Sequence, residues 1–370
     1  MIMIGKLVIS LVWVFWIMAM SPAEGKPSDQ DGISEPVKED YTPTYSSTFD
    51  RVKKRGYVVC GTNDEFPGFS QETWGNEEGN RWEGFDVDIC RAVAVAMFGD
   101  ADAIEFTIVN GKTRFEFLID GSIDILSAAT TFTYTRNVAK KLEFMPTTYY
   151  DGQGFIVRKT LGVSSAKQME GARICFSGSG TAAKNIADFM KLHGINYIPV
   201  DVPPNQKTRD AYKRGECDMY GTDRSGLASN RLSFDDPSRH MILPEIISKE
   251  PLGPVVKYGD QKWSDIVRWT VYVLFIAEEM GINSNNIDRM KNHIDPYIQR
   301  FMGELNGNDH PHLGAKLGLD AKWSYNIIKQ VGNYSEIYER NVGPDTPIGL
   351  ERGLNRLYNH GGLLYAAPLK

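Results

Sequence analysis

The stretch DVDICRAVAVAMFGDADAIEFTIVNGKTRFEFLIDGSIDILSAA, residues 86–129, decides the fold. Apolar residues from Val87 to Phe98 follow a helical pattern that Gly99 closes. EFTIV, 105–109, reads as a strand; KTRFEFLIDG, 112–121, as a helix ending at Gly121; and SIDILSA, 122–128, as a strand again. The helical TFDRVKKRG, 48–56, and the apolar strand YVVCGT, 57–62, precede them. The resulting β–α–β–α–β order predicts a parallel sheet covered by helices, an α/β architecture.

A second series starts at ARICFS, 172–177. It continues through a helix over 182–193, the strand NYIPV at 196–200, a helix over 205–214 and the strand CDMYGT at 217–222. Two α/β lobes in tandem are expected. The extended, glycine-punctuated segments TTYYDGQGFIVRK, 147–159, and KEPLGPVVKYGD, 249–260, read as two crossings between them. Two crossings make a hinge, and a hinge implies a cleft that opens and closes. The expected boundaries are 47–151 for the first part of lobe 1, 152–254 for lobe 2, and 255–370 for the rest of lobe 1 with a C-terminal helical extension. KWSDIVRWTVYVLFIAEEMG, 262–281, is apolar only around 271–277, too short to span a bilayer, and reads as a buried helix. Helices expected over 285–302 and 322–340 have no strands of their own and are assigned to the first lobe.

Residues 1–23, MIMIGKLVISLVWVFWIMAMSPA, carry Lys6, an apolar run from Leu7 to Met20, and small residues at Ser21 and Ala23. This is the pattern of a signal peptide cleaved after Ala23. The competing reading, an uncleaved anchor, lacks a basic flank. Residues 24–46, rich in Ser, Asp, Glu and Pro, read as a flexible linker. With 42% hydrophobic and 24% charged residues the balance is that of a globular chain, and a net charge of −6 without a Lys/Arg run long enough to track phosphates gives nucleic acid little footing. The four cysteines, Cys60, Cys90, Cys175 and Cys217, show no zinc spacing, and in an oxidising compartment they allow three pairings. The sequential pairing, Cys60–Cys90 with Cys175–Cys217, places one bridge in each half and is the expected one.

The cleft should form at the C-terminal strand ends, in four loops: GTNDEFPGFS (61–70), SAATTFTYTR (127–136), SGSGTAAKN (177–185) and YGTDRSG (220–226). Arg136, at an expected helix start, could grip a carboxylate with two parallel hydrogen bonds, Thr131 donating beside it. Thr181 and the Ala182 N–H, after Gly180, are further anion donors, in a turn that is neither a Walker loop nor GxGxxG. Asp223 reads either as a helix cap or as the partner of a ligand ammonium. Phe66, Phe69, Trp82 and Phe85 offer an aromatic wall, two of them expected as plain core. None of the six histidines lies in these loops, so acid–base catalysis has no obvious base. HPHLG, 310–314, lacks the acidic partners a metal site would need.

On GFDVDICRAVAVAMFGD (84–100), TYYDGQGFIVRK (148–159), CDMYGTDRSGL (217–227), LPEIISKEPLGPVVKYGD (243–260) and WSYNIIKQVGNYSEIYERNVG (323–343), the chain resembles the periplasmic solute-binding proteins, family 3, of polar amino-acid ABC importers, most closely their general L-amino-acid branch. The cysteines resemble that branch too. The resemblance implies the two-lobed type II periplasmic binding fold, capture of polar or general L-amino acids in the cleft, and delivery to an inner-membrane ABC permease by a periplasmic monomer without cofactor or metal. It places the carboxylate-gripping arginine on Arg136, its companion donor on Thr131, the amino-group aspartate on Asp223 and the second-lobe turn on Gly180, Thr181 and Ala182. The first-loop positions fall on Asn63 and Phe66, and the aromatic before the helix on Phe85. Ser127-Ala128-Ala129 departs from the larger polar residues of related proteins, so Ala129 bears on which side chains fit. A binder, not an enzyme, is expected. The alternatives on the same fold are an exported arogenate or cyclohexadienyl dehydratase, which needs a general acid beyond Asp223, and a receptor's sensor lobe, which needs a membrane segment after it.

Overall fold

The computed structural model describes residues 47–74, 80–203, 207–305 and 312–370. The expected signal peptide (1–23), the linker (24–46) and His310 lie outside them. Two five-stranded sheets organise the chain. In the first, Val58–Thr62 lies between Ile104–Ile108 and Ile125–Leu126, parallel to both, with Val58 opposite Ile104 and Cys60 opposite Ile125. Val255–Lys257 then joins antiparallel to Ile125–Leu126 and carries Leu142–Phe144 on its far side. The second sheet repeats the plan. Arg173–Phe176 lies between Ile198–Asp201 and Met219–Asp223, all parallel, and Gln153–Arg158 joins antiparallel with His240–Ile242 beyond it.

The parallel cores are those the periodicity predicts, whereas the antiparallel strands hide inside the crossing segments. Tyr149–Asp151 and Glu250–Leu252 pair antiparallel as a two-stranded ribbon. Each crossing then runs straight into an antiparallel strand of the sheet it enters, at Gln153–Arg158 and at Val255–Lys257. Thr131, next to the ribbon, bridges to Leu252, so the Thr-rich loop is stitched to the hinge. A three-stranded ribbon of Glu65–Phe66, Ser70–Trp74 and Asn80–Glu83 has no counterpart in the expectations, because its polar strands carry little hydrophobic alternation.

Helix Phe85–Phe98 is apolar on nearly every side and accordingly buried, packed by helices Gln261–Glu279 and Trp323–Gln330. The buried carboxylate of Asp124 accepts hydrogen bonds from the Val59 N–H at 2.8 Å, from Arg51 at 2.9 Å and from Arg55, and so stays paired. Its main-chain oxygen accepts from Trp263 Nε1 at 2.8 Å, tying the long helix beneath the first strand. The expected helix over 322–340 is two helices, Trp323–Gln330 and Tyr334–Asn341. Gly332, at φ 89°, breaks the run, and Asn333 opens the second helix through a capping box with Glu336. The helix expected over 205–214 is described over Thr208–Lys213, with Asn205 outside the described residues.

Both disulfides take the sequential pairing. Cys60–Cys90 joins a strand of the first sheet to helix Phe85–Phe98, with a Cα separation of 6.3 Å. Cys175–Cys217 joins strand Arg173–Phe176 to the loop just before strand Met219–Asp223, with a Cα separation of 5.6 Å. All four residues are fully buried.

Candidate ligand-binding site

The parallel strands of the two sheets end at one cavity of about 340 Å³, to which all four predicted loops contribute. Asn63, Phe66, Ala129, Thr131 and Arg136 line it from the first sheet, and Gly180, Thr181, Ala182 and Asp223 from the second. Phe85 does not. Only 1% exposed, it is held in the core with its ring edge-on to Tyr149, Tyr334 and Tyr338, so its assignment to the site is corrected. Phe69 and Trp82 are likewise spent on packing, against Phe66 at 4.6 Å and Phe106 at 5.3 Å. The lobes touch across the mouth, where Ser229 Oγ donates to the Pro67 carbonyl at 2.9 Å and Glu65 pairs with Lys207 and Arg209.

The loop after Ile125–Leu126 is held in an unusual shape. Ala129 has φ 42°, a left-handed conformation that side chains larger than glycine's rarely adopt. Asp86 fixes it. One carboxylate oxygen accepts the Ala129 N–H at 2.9 Å and the other the Ser127 hydroxyl at 2.9 Å. Burial pushes the Asp86 carboxyl up to about 6, although both hydrogen bonds pull it down. An unfolded aspartate titrates near 4, so Asp86 stabilises the fold most below about pH 4, and that stabilisation is lost as pH rises through about 6. The stability of wild type relative to Asp86→Asn, measured by urea unfolding, is therefore expected to fall by about 2 kcal/mol between pH 4 and pH 7. A flat difference would show that Asp86 holds no extra proton in the folded state.

Arg136 does not open a regular helix. It is the second residue of a single wide turn, Thr135–Ala139, and its N–H already donates to Thr133 Oγ1 at 3.2 Å. That N–H is thus taken, and only the side chain is left to meet an anion. Only 8% exposed, it donates through Nη1 to the Thr131 carbonyl at 2.7 Å. Arg114, which the sequence reading missed, lines the same wall. The two guanidinium groups lie 5.4 and 4.9 Å from the ring centre of Phe115. Burial, with Arg136 beside it, pulls Arg114 down to about 9, and its buried Nε has no hydrogen-bond partner. Burial likewise lowers Arg136, while Glu250 and Asp223 hold its charge on.

Asp223 immediately precedes helix Arg224–Arg231 but makes no side-chain cap bond to it. Asp151, from the first crossing, accepts the Ser225 N–H at 3.1 Å and so performs the capping that Asp223 is placed to do. That frees Asp223 for the cavity. Burial, together with Asp151 and Glu250, pushes its carboxyl well above the usual carboxylate range, against the pull of Arg136 and Arg114. The Thr181 hydroxyl, expected to face an anion, instead donates to Glu250 at 3.2 Å. Glu250, buried behind the wall, also accepts from Asn185 at 2.8 Å and Ser248 at 2.7 Å. The cavity therefore presents desolvated cations on one wall and a desolvated carboxyl on the other, each stabilised by a bound counter-charge. Among the described residues no His, Cys, Asp and Glu cluster suits a metal ion; His312 serves instead to accept the Ala315 N–H at 3.0 Å.

Two hinged α/β lobes around such a cavity define a two-lobed binding protein of the type II periplasmic fold. The chain belongs to the bacterial extracellular solute-binding proteins, family 3, whose pattern matches residues 58–310. It is 48% identical over 325 residues to the general L-amino acid-binding periplasmic protein AapJ of Rhizobium johnstonii, covering 88% of this chain and 93% of that one. It is 43% identical over 326 residues to the glutamate/glutamine/aspartate/asparagine-binding protein BztA of Rhodobacter capsulatus, covering 88% and 94%. A solved ABC transporter periplasmic binding protein from Brucella ovis, with glutathione bound, superposes with a TM-score of 0.83 at 43% identity, over 88% of this chain and all of that one. The chain is a solute-binding protein, not an enzyme.

Proposed function

We propose that the protein captures L-amino acids, of a polar or general range, between its lobes and hands them to the permease of an ABC importer. The observation that carries this reading is Asp223, relieved of helix capping by Asp151, sharing a cavity with Arg136. The Arg136 fork grips the ligand carboxylate, Thr131 and the turn at Gly180, Thr181 and Ala182 flank it, and Asp223 takes the ammonium. Asn63, Phe66 and Ala129 surround the side chain. Bound ligand bridges both walls and favours the closed state, the form a permease can distinguish. The names of the relatives support amino acids as ligands and an ABC transporter as the setting. The leader read at 1–23 and the two disulfides support a periplasmic site of action, with the protein working as a monomer.

A thermal-shift screen against the twenty amino acids followed by calorimetry tests the reading. Ligand at 100 times its Kd should add about 2.7 kcal/mol of stability. Asp223→Asn is expected to weaken free amino acids by roughly 100-fold, since it leaves a buried ammonium without its counter-charge. N-acetyl amino acids, which lack that ammonium, should bind wild type and variant equally poorly. Free amino acids held as tightly by the variant as by wild type would assign the ammonium to another group.

A further inference from the structure

The cavity holds a second group of charges that the zwitterion clamp does not use. Arg209 and Lys207 reach in from the second lobe and pair with Glu65 of the first. Arg209 Nη1 also donates to the Glu65 carbonyl at 3.4 Å. Beside them stands the Tyr220 hydroxyl, which accepts from Asn230 Nδ2 at 3.1 Å. The clamp's cations, Arg136 and Arg114, flank Phe115 on the first lobe, whereas Arg209 and Lys207 stand on the second lobe and pair with Glu65 across the mouth. The cavity of about 340 Å³ thus carries cations on both lobes.

We propose that Arg209, assisted by Lys207, is a second anion subsite that selects ligands whose side chain ends in a carboxylate, and that Glu65 is the stand-in such a ligand displaces. The inference rests on the amino-acid reading above and names the class of side chain. The Arg209 side chain is 14% exposed, and with Asp210 no nearer than 3.6 Å to its Nε the guanidinium fork needs a further partner inside the closed cleft. Glu65 supplies one when the ligand is short. Its own side chain is 53% exposed, and it can turn into water at little cost when a better-desolvated carboxylate arrives from within. A planar guanidinium suits that carboxylate, to which it donates two parallel hydrogen bonds.

Calorimetry of wild type, Arg209→Met and Glu65→Gln with L-glutamate, L-glutamine and L-alanine tests this, with thermal melts confirming that each variant folds. Arg209→Met is expected to lower glutamate affinity by about 10- to 100-fold, and alanine affinity by less than about threefold. Glu65→Gln should move the other way, raising the preference for glutamate over alanine, because the competing carboxylate is gone. An equal loss for all three ligands in Arg209→Met, or an unchanged glutamate preference in both variants, overturns the subsite and leaves Arg209 as a closure contact. Wild type that binds none of the three overturns the amino-acid reading itself, and this inference with it.

Discussion

Replacing Arg136 with alanine is expected to lower amino-acid affinity by about 30- to 5,000-fold, while the thermal melt stays within a few degrees of wild type. The size follows from where the charge sits. A ligand carboxylate enclosed between the lobes and robbed of its guanidinium is a buried unpaired charge, which costs about 2–5 kcal/mol. Arg114, on the same wall, does not replace it: its Nη1 faces Thr130 Oγ1 at 3.4 Å and the Ala128 carbonyl at 3.5 Å, and burial already works against its charge. Stability behaves differently. The substitution loses the bond to the Thr131 carbonyl and the contact with Phe115, together about 1–2 kcal/mol. It also removes a desolvated cation from beside a second one, and that relief offsets most of the loss. Arg136→Lys, which keeps the charge but not the fork, should fall between. Affinity for free amino acids within threefold of wild type in Arg136→Ala would remove Arg136 from the ligand's carboxylate.

The parts of this site that are legible in the sequence are those set by local pattern. Strand–helix alternation places four loops at two sheet edges, and all four meet at the cavity. What the sequence hides depends on distant partners. Asp223 reads by itself as a cap sooner than as a ligand group until Asp151, 72 residues earlier in the chain and joined through the hinge strands, is seen holding Ser225. Phe85 looks available as the first residue of a helix, yet Tyr334 and Tyr338 bury it. Arg114 opens a short amphipathic helix, Arg114–Asp120, where a charged residue normally faces water. Lys207 and Arg209 gain their meaning from Glu65, more than 140 positions away. The antiparallel strands belong to the same class, since a short apolar run beside a hinge does not announce which sheet it will join.

Removing the Cys175–Cys217 bridge, by replacing both residues with alanine, is expected to cost about 4 kcal/mol of unfolding free energy, and removing Cys60–Cys90 about the same. The bridges close loops of similar length, with separations of 42 and 30 residues, and chain-entropy estimates grow only with the logarithm of that length. Alanine is the right replacement, because all four sites are fully buried and serine would leave an unpaired hydroxyl in each. The two loops share no residue and cross-link different sheets, so the losses should add in the quadruple variant. Affinity should hold wherever the protein remains folded, as no cysteine lines the cavity. Urea unfolding followed by circular dichroism measures the first claim and calorimetry the second. A loss under about 1 kcal/mol for either pair would mean that its loop is already restrained in the unfolded chain, so that the bridge removes little freedom there.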